Sequence, residues 1–310
     1  MLSFVLVRFL QSLLALLFLS ILVFILGRVT GDPTYLLVAA DATEEQRLQV
    51  REALGLDQPL YVQYGVYAGG LLRGDMGTSV RSKEKVSKLI ADRVPASAAL
   101  GAAAMILVLG VGVPLGVIAA ARRGTYVDTF ARTIALFGQS MPAFLVGIVL
   151  IEVFAVNLSL LPTSGTGGID HLILPAVTLG QFVLAGVVRL LRASMLEVLD
   201  ADYVNVARAK GLSEIQLIWR HAFRNALIPL VTFAGLQLSI LLTMAIVVEV
   251  IFAWPGVGRL TYEAIVFRDY PVLQGVVLLT AAVVMVMSFF VDVAYGIIDP
   301  RIRIVGGAAN

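Results

Sequence analysis

Six apolar runs divide this chain, and each is long enough to cross a lipid bilayer as a helix. A spanning helix needs about 20 mostly apolar residues, because the hydrocarbon core of a bilayer is about 30 Å thick. Of the 310 residues, 59% are hydrophobic and only 14% are charged. The predicted spans are residues 9–27, 97–121, 133–156, 172–190, 226–248 and 272–298. We therefore predict an all-α integral membrane protein with six transmembrane helices.

Three prolines lie inside these predicted spans, namely Pro114, Pro142 and Pro175. A membrane helix tolerates proline when neighbouring groups satisfy the backbone carbonyls that the missing N–H leaves free. We therefore expect the three helices to be kinked at these positions.

Basic residues predict that both termini face the cytosol, because Lys and Arg are concentrated in the cytosolic loops of membrane proteins. The short loops on the other side of the predicted spans contain only two basic residues, Arg259 and Arg268. Residues 28–96 are also basic, but long loops translocate largely regardless of charge. The basic residues on the predicted cytosolic side are Arg8, Arg122, Arg123, Arg132, Arg189, Arg192, Arg208, Lys210, Arg220, Arg224, Arg301 and Arg303.

The long outer loop has signals of helical structure. Thr43 and Gln46 form a capping box, in which each side chain accepts a hydrogen bond from the other residue's backbone N–H. A helix over residues 44–54 is expected to end at Gly55, since glycine readily takes the left-handed conformation.

A second helix of the outer loop is expected to begin at Pro59 and to carry three tyrosines on one face, Tyr61, Tyr64 and Tyr67. Residues 74–77, Gly-Asp-Met-Gly, indicate a turn, and residues 83–93 lead into the second span. Two interpretations remain open. The loop is either an outer domain that contacts a partner or gates a path, or a structural cap with tyrosines at the headgroup level.

A polar, arginine-rich segment, residues 200–229, separates the fourth and fifth spans. Asp202 is expected to cap a short helix that runs through Lys210 and stops at Gly211. Ser213 and Gln216 then form a second capping box.

The second helix of this segment is expected to have one apolar face and to continue past Pro229 into the fifth span. The residues predicted to form that face are Ile215, Ile218, Trp219, Ala222 and Phe223. The segment is either a docking element joined rigidly to a membrane helix or a solvated loop that is basic because positive charge stays inside. A DNA-binding helix-turn-helix is disfavoured, because the membrane would restrain its second helix.

Residues 205–211 resemble the EAA loop of ABC importer permeases, with Asn205, Val206 and Ala207 preceding Gly211. Asn205 stands where that loop has glutamate, and the Leu-Pro element of the loop is displaced to Ile228-Pro229. Further stretches, in order along nearly the whole chain, are similar to the first permease subunit of dipeptide, oligopeptide and nickel importers. They are GLDQPLYVQY at 55–64, GDMGTS at 74–79, SMPAF at 140–144, LILPAVTLG at 172–180, FAWPGVGRL at 252–260, RDYP at 268–271 and DPRIR at 299–303.

The resemblance implies a permease subunit of a type I ABC importer for peptides or related small solutes, in a bacterial or archaeal cytoplasmic membrane. Such a chain forms half of the translocation pathway. The implied partners are the lipid bilayer, a homologous second permease, two ATPase subunits and an external solute-binding protein, without nucleic acid. The ATPase subunits would bind ATP and Mg, and this chain would bind no cofactor. The implied ATPase-coupling residues are Tyr203, Ala207, Arg208, Lys210, Gly211, Leu212, Ser213 and Glu214.

The same resemblance divides the chain into three parts. Residues 1–96 are expected to hold the first transmembrane helix and the outer loop. Residues 97–299 are expected to form a five-helix core with its coupling loop at 200–226, and residues 300–310 a cytosolic tail.

The sequence has no pattern typical of a catalytic or metal site. None of its four lysines follows a glycine, as the lysine of a phosphate-binding P-loop does. It has no cysteine, so it can have neither a thiolate metal site nor a thiol nucleophile. We therefore expect that this chain is not an enzyme and holds no metal, and that His171 is a span-boundary residue and not a nickel ligand.

Two places are candidates for the pathway or an outer gate. Glu152 lies in the third predicted span, where it either lines the pathway or reaches the membrane interface. Trp254, Gly256 and Gly258 lie in an outer loop that either helps to form a gate or makes a structural turn. The alternative function is an ion-coupled secondary transporter or channel. Ion-coupled carriers usually have mid-span charges and inverted repeats, and neither is prominent here.

Overall fold

The computed structural model describes residues 2–29, 43–53 and 55–298, and the regular structure of these residues is helical. An isolated antiparallel bridge between Thr78 and Lys85 is the single β-type pairing in those ranges. There are two π-helical segments in the described residues. Ile151–Asn157 extends the α-helix before it, and Leu217–Ala222 joins the α-helices on either side of it. The α-helices are α1 (Leu2–Val29), α2 (Glu44–Ala53), α3 (Leu60–Leu72), α4 (Val86–Ala121), α5 (Tyr126–Ser140), α6 (Ala143–Leu150), α7 (Asp170–Leu199), α8 (Asp202–Ala209), α9 (Glu214–Gln216), α10 (Phe223–Ile251), α11 (Val257–Val266) and α12 (Tyr270–Ile298).

Four helices, α1, α4, α7 and α12, are individually long and apolar enough to cross a membrane. Two bent helix pairs raise the number of candidate spans to six if each pair is one span. The prediction of an all-α membrane protein is therefore confirmed. Pro114 and Pro175 lie inside the continuous helices α4 and α7.

The third predicted span has a break near Pro142, where the sequence predicted a kink. Helix α5 ends at Ser140, α6 begins at Ala143, and the two meet at an angle of 112°. The cause is Pro142, which is the N-cap of α6 and which disfavours helical backbone in the residue before it. Met141 is accordingly extended, with ψ at 129°.

The chain divides into two compact units, which we describe separately. Unit 1 comprises Met1–Pro95 and Gly256–Phe289, and unit 2 comprises Ala96–Pro255 and Phe290–Asn310. The core of unit 1 is a small apolar cluster contributed by the start of α4, by α11 and by the start of α12. Its buried members are Val86, Ile90, Leu260, Ala264, Val272 and Val276.

In unit 1, the capping box that begins α2 is confirmed, with Gln46 N–H donating to Thr43 Oγ1 over 3.3 Å and Thr43 N–H to Gln46 Oε1 over 3.0 Å. Gly55 is left-handed, as expected, with φ at 63°. The helix that ends before it is described to Ala53, and the last residue predicted for it, Leu54, lies outside the described ranges. The DPRIR stretch and the predicted tail lie outside them as well.

The three tyrosines of α3 do not share one face. Tyr64 and Tyr67 both pack against Phe24 of α1, with ring centroids 5.5 Å away, whereas Tyr61 is 78% exposed. The reason is geometric, because each step of three residues turns the direction of the side chain by about 60° in a 3.6-residue helix. Two steps move Tyr61 away from the face that Tyr67 occupies.

In unit 2, helices α4, α7 and α10 supply most of the buried core. Glycines let the backbones of neighbouring helices approach closely, as is common between membrane helices. A Cβ at Gly138 of α5 would lie 3.0 Å from the carbonyl oxygen of Gln181, and one at Gly116 of α4 would lie 3.2 Å from that of Val188. Helix α7 therefore packs closely against both α4 and α5.

Candidate functional site

The polar segment between α7 and α10 folds into a compact hairpin, which we call the α8 hairpin (residues 200–226). It consists of α8, a turn, the short helix α9 and a π-helical segment that leads without interruption into α10. Val204 of α8 is fully buried. The hairpin is therefore fixed to unit 2 through the apolar side of α8, while the opposite side of α8 is exposed.

The turn at the end of α8 is a Schellman motif centred on Gly211. Gly211 has φ at 83°, and its N–H donates to the carbonyl of Arg208 over 3.0 Å. The N–H of Leu212 reaches back to the carbonyl of Ala207 over 3.4 Å. These two bonds satisfy carbonyls that a helix end leaves unpaired. The predicted stop at Gly211 is confirmed, and Lys210 is the exposed residue just before it.

The capping box that begins α9 is also confirmed. Ser213 Oγ accepts from the N–H of Gln216 over 3.4 Å, and Gln216 Oε1 accepts from the N–H of Ser213 over 3.3 Å. The predicted cap of α8 is wrong, because Ala201 occupies the N-cap and Asp202 is the first helical residue. Asp202 thus lies in the first turn, where a negative charge is favourable to the helix dipole.

An ion pair connects the two sides of the turn. The guanidinium of Arg208 donates to Glu214 Oε1 over 2.7 Å and to the side-chain oxygen of Asn205 over 3.0 Å. The hydrogen bond to Glu214 raises the pKa of Arg208 above its usual value. Asn205, which replaces the glutamate of the EAA loop, therefore serves as a neutral acceptor within the hairpin.

The apolar face of the second helix keeps Ile218, Ala222 and Phe223 of the predicted set, which lie in or against the core, but the π-helical segment changes the rest of the face. Its buried residues are Leu217, Ala222, Ala226 and Leu230, spaced by five, four and four positions. A π-turn closes i→i+5 bonds and so advances the buried face by one residue. As a result Ile215 is 72% exposed. Trp219 is half exposed and packs edge-on against Phe223, with a centroid distance of 5.2 Å.

All the predicted coupling residues lie together in the α8 hairpin. Tyr203 is half exposed, and its hydroxyl accepts from the side-chain amide of Asn225 over 2.9 Å. Ala207 and Leu212 are partly buried, whereas Arg208, Lys210, Gly211, Ser213 and Glu214 are exposed. Exposed apolar side chains accompany these polar ones. They are Tyr203, Val206, Ile215 and Trp219. Val206 and Ile215 were missed as surface residues, since the sequence pattern does not show which side of a short helix faces water.

A polar cavity of about 280 Å³ lies beside the hairpin within unit 2. Arg123 and Asp200, which line it, form an ion pair over 3.2 Å. The cavity extends the polar surface of the hairpin toward the end of α4. Its other polar lining residues are Asn205, Arg208 and Glu214.

A buried ion pair that the sequence did not reveal joins α5 to α7 in unit 2. Arg192 donates to both carboxylate oxygens of Asp128, over 2.6 and 2.9 Å. Asp128 is buried and also accepts from the N–H of Gly124 over 3.0 Å. Arg132 of α5 also lies 3.6 Å from this carboxylate, and the two hydrogen bonds from Arg192 fix α5 against the helix that carries the α8 hairpin.

Two of the candidate pathway residues, Glu152 and Trp254, lie in unit 2. Glu152 is exposed on the π-helical end of α6 and accepts from the side-chain amide of Asn157 over 3.3 Å. Trp254 is only 5% exposed, and its indole N–H donates to the carbonyl of Ala96 over 2.9 Å. Trp254 is therefore a core residue in this structure and not an interfacial one.

The other two candidate gate residues, Gly256 and Gly258, lie in unit 1 at the start of α11. Gly256 is the extended N-cap of this helix, and Gly258 is buried in its first turn. The two glycines therefore mark a helix start.

Sequence reasoning also missed a buried acid in unit 2. Glu249, near the end of α10, is fully buried and accepts from the hydroxyl of Ser97 over 2.6 Å. The signal was present, since Glu249 interrupts an apolar run, but the fifth span was predicted to end one residue earlier.

Comparison with known proteins identifies the class to which this fold and hairpin belong. Residues 112–304 match the family profile described as "binding-protein-dependent transport system inner membrane component", and residues 1–101 match the profile of its N-terminal membrane component. The chain therefore belongs to the family of binding-protein-dependent transport system inner membrane components. Members of this family are transport permeases, and the chain is a permease subunit of an ABC importer.

Curated relatives match along almost their whole length. The chain is 42% identical to the glutathione transport system permease protein GsiC of Salmonella typhimurium and of Escherichia coli K12, over 98% of this chain and 99% of each relative. Among solved structures, an inward-facing conformation of the MetNI methionine ABC transporter matches 68% of this chain and 96% of its own. The TM-score is 0.58 and the sequence identity 20%, so this likeness shows the fold alone.

Proposed function

We propose that this chain forms half of the translocation pathway of an ATP-driven importer and docks an ATPase subunit through residues 201–216. The observation that carries this proposal is the α8 hairpin. Its surface combines exposed apolar and charged side chains, and both ends of its turn are closed by hydrogen bonds. A partner can therefore press on a rigid element and not on a loose loop.

The hairpin is also continuous with a membrane helix. From Glu214 to Ile251 the backbone stays helical, through α9, the π-helical segment and α10. The axis bends by 50° near Pro229. A displacement of the hairpin is thus passed into the membrane core along one helical path, which includes the bend near Pro229. This is the mechanical requirement for coupling ATP hydrolysis to a change in the permease.

We place the α8 hairpin and both chain termini on the cytosolic side of a bacterial inner membrane. The distribution of basic residues supports this orientation. The proposed assembly contains a second, homologous permease, two ATPase subunits that bind ATP and Mg, and a solute-binding protein on the outer side. The family description, which names a binding protein, supports the last partner.

The proposed cargo is a peptide or a related small solute. Support comes from the 42% identity, over nearly the full length of both chains, to permeases of glutathione transport systems. The solute-binding protein is expected to supply much of the selectivity, so its ligand defines the cargo more closely than this chain does.

Reconstitution into proteoliposomes tests the proposal. Proteoliposomes that contain the permease pair and the ATPases, supplied with the solute-binding protein, should take up the ligand of that protein. Uptake should require ATP on the side of the membrane where the ATPases lie. Uptake that persists without ATP and follows an imposed ion gradient would show an ion-coupled carrier instead and would exclude the proposed function.

A further inference from the structure

Two basic residues of unit 1 have a backbone conformation that normally requires glycine. Lys83 has φ at 60° and Arg268 has φ at 54°. This left-handed conformation brings a Cβ too close to the neighbouring carbonyl oxygen, so it costs free energy for residues with a side chain. Glycine would have the lower conformational cost at both positions, so each turn holds its cationic side chain at some cost in free energy.

Arg268 occupies the turn that ends α11. Its N–H donates to the carbonyl of Ile265 over 3.2 Å, and the N–H of Asp269 donates to that of Ala264 over 2.8 Å. These bonds are the Schellman pattern, with Arg268 in the place that glycine usually takes. The turn fixes the direction in which the exposed side chain of Arg268 leaves the backbone.

Lys83 lies in a tight loop, residues 79–85, that is closed at its base and held along its first three residues. The N–H of Ser79 donates to the carbonyl of Glu84 over 2.9 Å at the base. The buried carboxylate of Asp269 accepts from the hydroxyl of Ser79 and from the N–H groups of Val80 and Arg81, over 2.5, 3.2 and 3.3 Å. Asp269 is only 4% exposed. One carboxylate therefore fixes this loop to the end of α11.

The joined segments present a mixed basic and apolar surface. The guanidinium of Arg81 stacks 3.5 Å above the ring of Phe267, and Phe267 is itself half exposed. We call this surface the basic platform. It is formed by Arg81, Lys83, Lys85, Arg268 and the exposed apolar residues Ile265, Val266 and Phe267.

The cations of the platform are available to a partner. Among the described residues, no carboxylate lies within ion-pair distance of Lys83, Lys85 or Arg268. Arg together with aromatic side chains is enriched at the centres of protein interfaces.

We propose that the basic platform is a docking surface for an acidic face of the solute-binding protein. This inference rests on the proposed function, which places the 28–96 segment on the outer side of the membrane. The transport system depends on a soluble binding protein that must dock and leave in every cycle. Opposite charges accelerate such encounters and set their orientation. A fluid layer of lipid headgroups would need no fixed backbone geometry, whereas a folded partner does.

Affinity measurements with the assembled transporter in nanodiscs and its cognate solute-binding protein test the proposal. Lys83→Gly and Arg268→Gly remove each charge while they relieve the backbone, so they keep the fold. Lys83→Glu and Arg268→Glu reverse each charge. We expect the double glycine variant to bind roughly tenfold more weakly at low salt and the double glutamate variant more weakly still, with a flatter salt dependence. Basal ATPase activity should be unchanged.

Arg51→Glu, which reverses an exposed charge on α2 outside the platform, is the control and should bind as the native chain does. Native affinity in both double variants would overturn the inference. It would also be overturned if the platform variants changed only the response to phosphatidylglycerol in the nanodisc, because the surface would then bind lipid. Absence of any stimulation of the native complex by the binding protein would instead overturn the proposed function itself.

Discussion

Two short helices, α8 and α11, end in the same backbone motif but place different residues in its left-handed position. Both ends have the paired hydrogen bonds of a Schellman turn. At the end of α8 the left-handed residue is Gly211, with φ at 83°, and at the end of α11 it is Arg268, with φ at 54°. The α8 turn therefore adopts this conformation at the lowest cost in free energy, whereas the α11 turn is strained because its left-handed residue has a side chain.

The acids that support the two turns differ as well. Glu214 supports the α8 turn through an exposed ion pair with Arg208 over 2.7 Å. Asp269 follows the α11 turn, is buried, and accepts hydrogen bonds from uncharged donors. An exposed pair is weak and is screened by salt, while a buried, fully bonded carboxylate is costly to remove. The backbone conformation is thus the main requirement at the α8 turn. At the α11 turn the main requirement is the position of particular side chains.

The largest local effect is expected at the buried acid of the α11 turn. Asp269→Ala leaves the hydroxyl of Ser79 and two backbone N–H groups without their acceptor, which should lower the local opening free energy of the 79–85 loop by roughly 1–3 kcal/mol. Hydrogen exchange of this loop in the intact complex measures the change. Asp57→Ala, at an exposed acid of the same unit, is the control. Equal exchange in both variants would show that Asp269 does not hold the loop.

At the α8 turn the largest effect should come from the glycine. Gly211→Val forces a β-branched residue into the left-handed region and should strain the hairpin by roughly 1–2 kcal/mol. We expect ATPase stimulation by the binding protein to be lost while the complex remains in the membrane.

The matched control for this variant is Gly124→Val. Gly124 is also left-handed, with φ at 78°, and no neighbouring side chain or backbone atom lies within 4 Å of the position that a Cβ would occupy. Unlike Gly211, it lies outside the hairpin. Stimulation lost to the same extent in both variants would indicate general damage and would contradict a special role of the α8 turn.

The reverse substitution at the α11 turn should stabilise the protein. Arg268→Gly relieves the left-handed strain of about 1–2 kcal/mol and adds flexibility to the unfolded chain that costs about 0.4–1 kcal/mol. The net gain should be at most about 1.6 kcal/mol, visible as slower hydrogen exchange at the end of α11. Faster exchange in this variant would mean that the arginine side chain stabilises the turn, and the contrast with Gly211 would fail.

The smallest effect is expected at the exposed ion pair. Glu214→Gln keeps the shape of the side chain but removes its charge, so binding-protein-stimulated ATPase activity should fall less than in Gly211→Val. Because salt screens exposed charges, the difference between this variant and the native chain should vanish near about 1 M salt. A difference that persists at high salt would show that the carboxylate has a role beyond its pairing with Arg208.

The sequence predicted local features well and distant pairings poorly. The two capping boxes and the stop at Gly211 depend on residues within a few positions of one another, so their residue types suffice. The pairs Asp128–Arg192 and Ser97–Glu249 join residues 64 and 152 positions apart, and no sequence pattern marks such pairs.

Backbone irregularities were the second source of error. The extended backbone before Pro142 turned an expected kink into a bend of 112°, and the π-helical segment displaced Ile215 from the predicted apolar face. Both depend on how the helix is closed by hydrogen bonds, which the periodicity of apolar residues does not reveal. The family resemblance, by contrast, depended on short stretches spread along the chain and was confirmed.

Site-specific photocrosslinking tests whether the α8 hairpin docks an ATPase subunit. The chain has no cysteine, so a single introduced thiol is its one labelling site for a benzophenone probe, attached before the chain is assembled with its partners. We expect Val206→Cys, on the exposed side of α8, to crosslink to the ATPase in the assembled transporter. Leu72→Cys, at a 90% exposed position in α3, should not. A probe at Val206 that fails to reach the ATPase, or one at Leu72 that reaches it equally well, would show that the α8 hairpin is not the docking element.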